Sequence, residues 1–333
     1  MVSFENGNII VETGVYNLSQ LFELSLNGEI THQHNQYVIN GDVHIGTLNT
    51  TLVGDGANIA GIEDTNIDLK ILGEKCQVHT NGYLKLGEKT STGTKNGCSF
   101  SMPNVQLAYG FGNEVLSGSN TMSGNLFLYG SKIDIWGFWG FFGGGESISE
   151  LIDCNIRGYG RIEGRNSKVK NITLQESHPR YGGITVAGKI AEYSNIISNY
   201  STDASFYFNP EFSLDMQVQG GNFSGYQNLV YVEPNPYNEI HKLSLLDVNI
   251  EGNHNILWAD NKSDVTIDFT FDTIFRTPEG LPMSETLITI RDKDGVIVFN
   301  DSTDYNGRIH TEINYMNANK DLTVYKTPHT IEV

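Results

Sequence analysis

Five carboxylates, Asp134, Glu146, Glu150, Asp153 and Glu163, fall in one short stretch of the chain. Two carboxyl groups held about 5–10 Å apart can cleave a glycosidic bond, one as acid and the other as base or nucleophile. Asp134, Asp153 and Glu163 are the catalytic candidates of this set. The structural alternative is that outward strand positions are often acidic in an acidic protein. The segment ESHPRYGG gathers Glu176, His178 and Arg180 in one loop. That grouping suits an anionic sugar or a catalytic cation, and a plain polar turn loop is the favoured account of it. In WGFWGFFGGGE, the rings of Trp136, Phe138, Trp139, Phe141 and Phe142 are interleaved with glycine. Such rings stack in a core, form a contact between chains or make a platform for sugar. They occupy both odd and even positions, so one strand cannot bury all five on one face, which favours a contact between chains.

Asp292, Asp294, Asp301 and Asp304, with Asn306, sit in the segments DKDG and DSTDYNG. Their density suits calcium, but the twelve-residue spacing and terminal Glu of a calcium loop are missing. Turn formation explains them, and no metal or cofactor is expected.

The elements that must position these groups are strands. Gly contributes 36 residues and Asn 34 against 8 Ala, which excludes a mostly helical protein. The 21 basic residues face 39 acidic ones, a net charge of −18, and no basic run tracks a phosphate backbone, so nucleic acid is a poor partner. No apolar stretch reaches membrane-spanning length, and the opening MVSFENGNIIVETG lacks the basic and apolar regions of an export signal. The expectation is no membrane insertion and synthesis in a reducing cytoplasm. Cys76, Cys98 and Cys154, odd in number and without CxxC spacing, read as buried free thiols.

From about residue 37 the chain repeats short alternating apolar runs separated by Gly, Asn or Asp turns, as in YVINGDVHIG, NIDLKILG and GNLFLYGSKIDIWG. An Asn followed by an apolar residue recurs at 155, 171, 195, 222 and 249, in steps of 16, 24, 27 and 27 residues. Imperfect periodicity of this length marks a β-solenoid, with Asn at tight corners stacked from coil to coil. An ordinary β-sandwich with irregular loops is the alternative. The segment 19–30 has the nearest approach to helical spacing and suits a short helix capping one end. On this pattern residues 37–263 resemble the right-handed parallel β-helix of pectate-lyase-like enzymes and phage tailspikes. Of the polygalacturonase motifs only Ser201-Thr202-Asp203 has a near match, which weighs against that activity.

After residue 263, closely spaced strands joined by DG and NG turns give the form of a small antiparallel sandwich. This part, 264–333, resembles Ig-like and carboxypeptidase-regulatory-like domains, which implies adhesion or attachment. Its expected core is Phe269, Phe271, Ile288, Ile290, Ile297, Phe299, Ile309, Ile313, Val324 and Ile331. Residues 1–36 are left as an N-terminal cap or attachment segment. The resulting expectation is an all-β protein, a parallel β-helix followed by a sandwich, serving as a structural virion protein of a prokaryotic virus. It would be a tail fibre, tailspike or capsid-surface fibre, acting as a homotrimer beside other virion proteins and attaching to host-surface polysaccharide. A β-helix polysaccharide depolymerase and a cellular surface adhesin are the alternatives.

Overall fold

The structure is a computed structural model, nearly all β, organised as a β-solenoid of about five turns with antiparallel sheets at its C-terminal end. It describes residues 2–5, 8–11, 14–24, 30–40, 44–46, 60–71, 77–79, 83–95, 97–102, 121–122, 125–135, 141–142, 148–157, 161–164, 166–175, 183–186, 192–199, 204–208, 215–237, 239–259 and 261–333.

Three parallel sheets form the solenoid wall. Consecutive turns begin at the strands Ile148–Ile152, Asn166–Gln175, Glu192–Asn199, Asp215–Ser224 and His241–Leu246, each stacked in register on the one before. The chain bends into a second sheet, where Asn155–Arg157, the later halves of the three long strands and Asn249–Glu251 stack in the same order. A third sheet is built from Arg161–Gly164, Gly183–Val186, Ala204–Phe208, Asn228–Val232 and Ile256–Trp258. The first sheet also extends toward the N-terminus through Asn125–Tyr129, Tyr83–Leu86 and Ala60–Asp64 to Gly14–Asn17. Its column therefore begins before residue 37.

Alternation puts one apolar ladder inside. Leu86, Leu128, Leu151, Val169, Tyr193, Val218, Leu245 and Ile267 stand in register on successive strands of the first sheet, and all are buried. Each such side chain contributes about 1.5–3 kcal/mol, and stacking like on like keeps the layers close-packed. At the N-terminal end a helix, Leu18–Leu24, follows Gly14–Asn17 and lays Leu18, Leu21 and Phe22 on this core. Asn17 Oδ1 accepts the Gln20 N–H to cap it, and Asp64 accepts from the backbone and hydroxyl of Ser19.

The bend between the first and second sheets is made by single residues in the left-handed region. Asn66, Asp153, Asn171, Asn195 and Asp247 have φ of 69, 56, 53, 51 and 55°, and Gly130 and Gly220 take the same place with 57 and 66°. Asn and Asp tolerate this conformation because a short polar side chain can bond locally. Here the bonds also run between turns. Asn195 Nδ2 donates to Asn171 Oδ1 at 3.0 Å, and Asn171 Nδ2 donates to Asp153 Oδ1 at 2.9 Å. Gly220 interrupts this ladder, since a Cβ there would lie 2.7 Å from Asn195 Oδ1.

Two of the five Asn residues expected at corners, Asn171 and Asn195, are there; Asn155, Asn222 and Asn249 are not. Those three lie two residues further on, in the second sheet, where Asn249 Nδ2 donates to Asn222 Oδ1 at 3.1 Å. Both positions precede an inward apolar residue, so an Asn-apolar pair marks either one.

Cys98 and Cys154 are buried free thiols in one inward column, separated by Ser131. Strands are about 4.8 Å apart, so two steps put the sulfurs beyond disulfide reach. Each thiol donates to a carbonyl of the first sheet, Cys98 to Asp64 and Cys154 to Leu128. Burial pushes the Cys154 thiol up to about 12, and raises that of Cys98 as well. Cys76 lies outside the described residues.

The C-terminal strands grow out of the solenoid. The strand Ser263–Ile274 pairs in parallel with His241–Leu246 on one side and antiparallel with Arg308–Ala318 on the other, so it crosses residue 264 without a break. Met316 stands opposite Ile267 and extends the apolar ladder by one layer. A bulge falls between Ile267 and Asp268. The buried Asp268 carboxylate there accepts from Ser244 Oγ, Thr266 Oγ1 and Asn314 Nδ2 at 2.7–2.8 Å, tying the last turn to both antiparallel strands. A smaller sheet, Ile297–Ser302, Leu287–Arg291 and Thr330–Glu332, faces the first across a core of Ile288, Ile290 and Ile309, with Phe271, Phe275, Phe299 and Ile313 packed against it.

Three residues expected in that core are exposed instead. A bulge at Ile290/Arg291 sets Ile297 opposite Arg291, away from the core. Phe269 and Ile331, each 42% exposed, line an open cleft between the sheets.

Gly221 has φ of 113°, and a Cβ there would lie 2.2 Å from the Ile196 carbonyl oxygen. Gly221→Ala is therefore expected to destabilise the fold by roughly 3 kcal/mol. Asn195→Ala, which loses the corner preference and one exposed bond, should cost about 1 kcal/mol. Denaturant unfolding followed by circular dichroism ranks the two, and equal losses would refute the close-approach account.

Candidate functional site

The carboxylates that sequence reasoning grouped for catalysis fall on different elements of the fold. Asp134 is on the second sheet, in register with Ser101 and Arg157. Asp153 is a corner residue, and its two oxygens accept from Asn171 Nδ2 and Thr94 Oγ1. Glu163 is on the third sheet.

Glu150 is an ion-pair residue. A hairpin, Glu88–Thr90 and Gly93–Lys95, is inserted at a corner and reaches along the solenoid edge. From it Lys89 Nζ reaches Glu150 Oε2 at 2.6 Å, and Tyr129 Oη donates to the same oxygen at 2.9 Å. Burial favours the neutral carboxyl, but these two donors and the nearby Lys168 outweigh it and hold Glu150 below the ordinary range. A general acid needs the opposite shift.

Glu146, Glu176, His178 and Arg180 lie outside the described residues, as do Trp136, Phe138 and Trp139. Phe141 and Phe142 form a short strand of the third sheet, in register with Thr121 and Met122.

The aspartates considered for calcium are occupied by turns and cations. Asp292 Oδ1 accepts from the backbone of Asp294 and Val296, and its Oδ2 from Lys326 Nζ at 3.1 Å. Asp304 Oδ1 accepts the N–H groups of Asn306 and Arg308, Asp301 Oδ1 accepts that of Ser302, and Asp294 pairs with Lys293. These bonds close the DKDG and DSTDYNG turns, so the turn reading accounts for their geometry.

A cleft of about 240 Å³ opens between the two C-terminal sheets. Phe269, Phe271, Ile313 and Tyr315 make one wall, and Ile290 and Ile331 the other. Thr327 and His329, from the connection before the last strand, also line it. His329 Nε2 is buried without a hydrogen-bond partner among the described residues. Tyr315 is braced by near-perpendicular contacts with Phe269 and Tyr325, both at 5.7 Å between ring centres, and by His254 at 6.2 Å.

An apolar cleft with a few converging polar groups is the usual form of a small-molecule site. Sequence reasoning placed Phe269, Phe271, Ile313 and Ile331 on inward faces but missed Tyr315, Thr327 and His329. The available signal was Tyr315 standing two residues after Ile313, on the same strand face. The chain matches no protein-family model, no curated protein and no solved structure.

The Asp292–Lys326 pair anchors the strand that leads into Thr327 and His329. Burial raises the Asp292 carboxyl, but Lys326 and the two backbone donors outweigh it, leaving the group below its ordinary value. Its stabilisation is present in full above about pH 3.9, the unfolded value, and fades as pH falls through the lower folded value. Asp292→Asn should remove this acid-side loss, shown as a flatter dependence of unfolding midpoint on pH below about 4. An unchanged slope would refute the assignment.

Proposed function

We propose that the protein is a structural and attachment protein of a prokaryotic virus, a tail fibre, tailspike or capsid-surface fibre. The solenoid would act as a rigid shaft and the C-terminal sheets as its binding head. The observation that carries this reading is the strand Ser263–Ile274, which belongs to both parts and couples them through the Asp268 network. Such continuity suits a stalk that transmits force to whatever the head grips. The unpaired thiols Cys98 and Cys154 support folding without an oxidising compartment, consistent with assembly in a host cytoplasm. The likeness of the C-terminal part to Ig-like domains and attachment to host polysaccharide belong to the same proposal.

A second reading, polysaccharide cleavage, draws on Asp134, whose Oδ1 is buried without a partner among the described residues and whose register neighbour is Arg157. Release of reducing ends from host capsule, abolished by Asp134→Asn, would establish it over simple attachment.

Gold-labelled antibodies against the chain should decorate the tail or surface of virus particles in electron micrographs. Labelling of the cell envelope alone would favour an adhesin. The fibre is proposed to be a homotrimer with Trp136–Phe142 near the contact, where repeated copies add avidity. Light scattering should give a trimer mass, reduced toward monomer by the double replacement Trp139→Ser and Phe141→Ser with the β-rich spectrum retained. A wild-type monomer both in solution and on the particle would end the trimer proposal.

A further inference from the structure

We propose that the hairpin of residues 88–95 is a polar strap that fastens three consecutive turns at their corners and opens as a unit while the solenoid behind it stays folded. The inference stands independently of the attachment reading.

The need for a strap lies in the corners. Asp153, Asn171 and Asn195 bond to one another across three turns. On the N-terminal side of Asp153 this ladder stops, because the preceding corner is Gly130, which has no side chain to offer. The corner before that one is the hairpin itself, inserted between Tyr83–Leu86 and Ser99–Met102. From it Thr94 reaches past Gly130, and its Oγ1 donates to Asp153 Oδ2 at 3.0 Å. Glycine leaves room for this crossing, since a Cβ at residue 130 would lie 3.1 Å from Thr94 Oγ1.

The second fastening is Lys89. Its Nζ meets Glu150 Oε2 at 2.6 Å and lies 5.7 Å from the centre of the Tyr129 ring. Tyr129 belongs to the turn after the hairpin and Glu150 to the turn after that. The hairpin therefore supplies, from outside, the bonds between turns that the glycine corner cannot make.

Composition lets the arm lift. Among residues 88–95 no side chain is more apolar than threonine, so apolar burial does little to hold it down. A two-stranded hairpin is marginal in water by itself, and a partly exposed ion pair adds little. The feet are different. Gly87 and Gly97 press on the next turn so closely that a Cβ would lie 1.9 Å from the Tyr129 carbonyl oxygen and 1.8 Å from that of Gly130. Gly87 also donates its N–H to the Asp64 carbonyl at 2.8 Å. The feet stay in the wall while the arm between them moves. Opening uncovers Tyr129, which alternation points away from the core although it is only 6% exposed.

The test uses the full chain and two readouts, hydrogen exchange followed by mass spectrometry and acetylation of Lys89 against the exposed Lys95 of the same hairpin. In 1 M salt, which screens the ion pair, and in Lys89→Met, exchange within residues 88–95 should rise about 3- to 10-fold, with that of Asn166–Gln175 unchanged. Thr94→Val, which removes the other fastening, should act in the same direction. At low salt Lys89 should be acetylated about 3- to 10-fold more slowly than Lys95, and Glu150→Gln should remove the difference.

Circular dichroism checks that each variant is folded, and Glu150→Gln replaces Lys89→Met in the exchange experiment if the latter is not. Exchange that rises together in the hairpin and in Asn166–Gln175 would show that the arm is not a separate unit. Exchange and labelling indifferent to salt and to the folded variants would show that these contacts do not fasten it. Either result overturns the proposal.

Discussion

Every turn of the solenoid must bend sharply from its first sheet to its second and return in register with its neighbours. That requirement rests on left-handed residues at the corners. Parallel strands lie about 4.8 Å apart, so a corner that opened by even an ångström would break hydrogen bonds on both sides. Asn, Asp and Gly meet the backbone demand at low cost, and the first two add bonds between turns. Where glycine takes over, as at Gly220 and Gly221, the neighbouring turn occupies the space that a Cβ would need. With the corners aligned, differences in turn length are absorbed elsewhere. The inward ladder from Leu86 to Ile267 follows from that alignment.

A stack of parallel turns has two open ends, and the two are closed differently. The Leu18–Leu24 helix seats apolar side chains on the N-terminal side of the core. At the other end Ser263–Ile274 accepts an antiparallel neighbour, and Met316 and Ala318 complete the core. The bulge at Asp268 marks the change from one pairing mode to the other. Three side-chain donors surround its carboxylate, as a buried charge requires. Beyond this junction the smaller sheet only partly covers its partner, and the cleft is the uncovered remainder.

This arrangement bears on function because much of the chemistry visible in the sequence is committed to holding the fold. Asp153 belongs to the corner ladder, Glu150 to an ion pair with the inserted hairpin, and Asp292 and Asp304 to turns. Among the described residues, Asp134 Oδ1 and His329 Nε2 are buried polar atoms left without a hydrogen-bond partner. His329 also lines the apolar cleft between the C-terminal sheets.

The all-β class, the solenoid, the antiparallel C-terminal strands and the buried thiols were legible from composition and period-two alternation, because these are local consequences of side-chain size and backbone preference. The recurring Asn was legible as a repeat but not in phase, since a corner and an outward strand position both precede an inward residue. Tertiary structure alone decided that Asp134, Asp153 and Glu163 fall on the second sheet, a corner and the third sheet, because turns of unequal length set which positions share an element. It also decided that Ser263–Ile274 joins the two parts: nothing in one strand's sequence states whether its partner runs parallel or antiparallel. The cleft was hidden for the same reason, since Phe269, Tyr315 and His329 meet only after strands distant in sequence pair across two sheets.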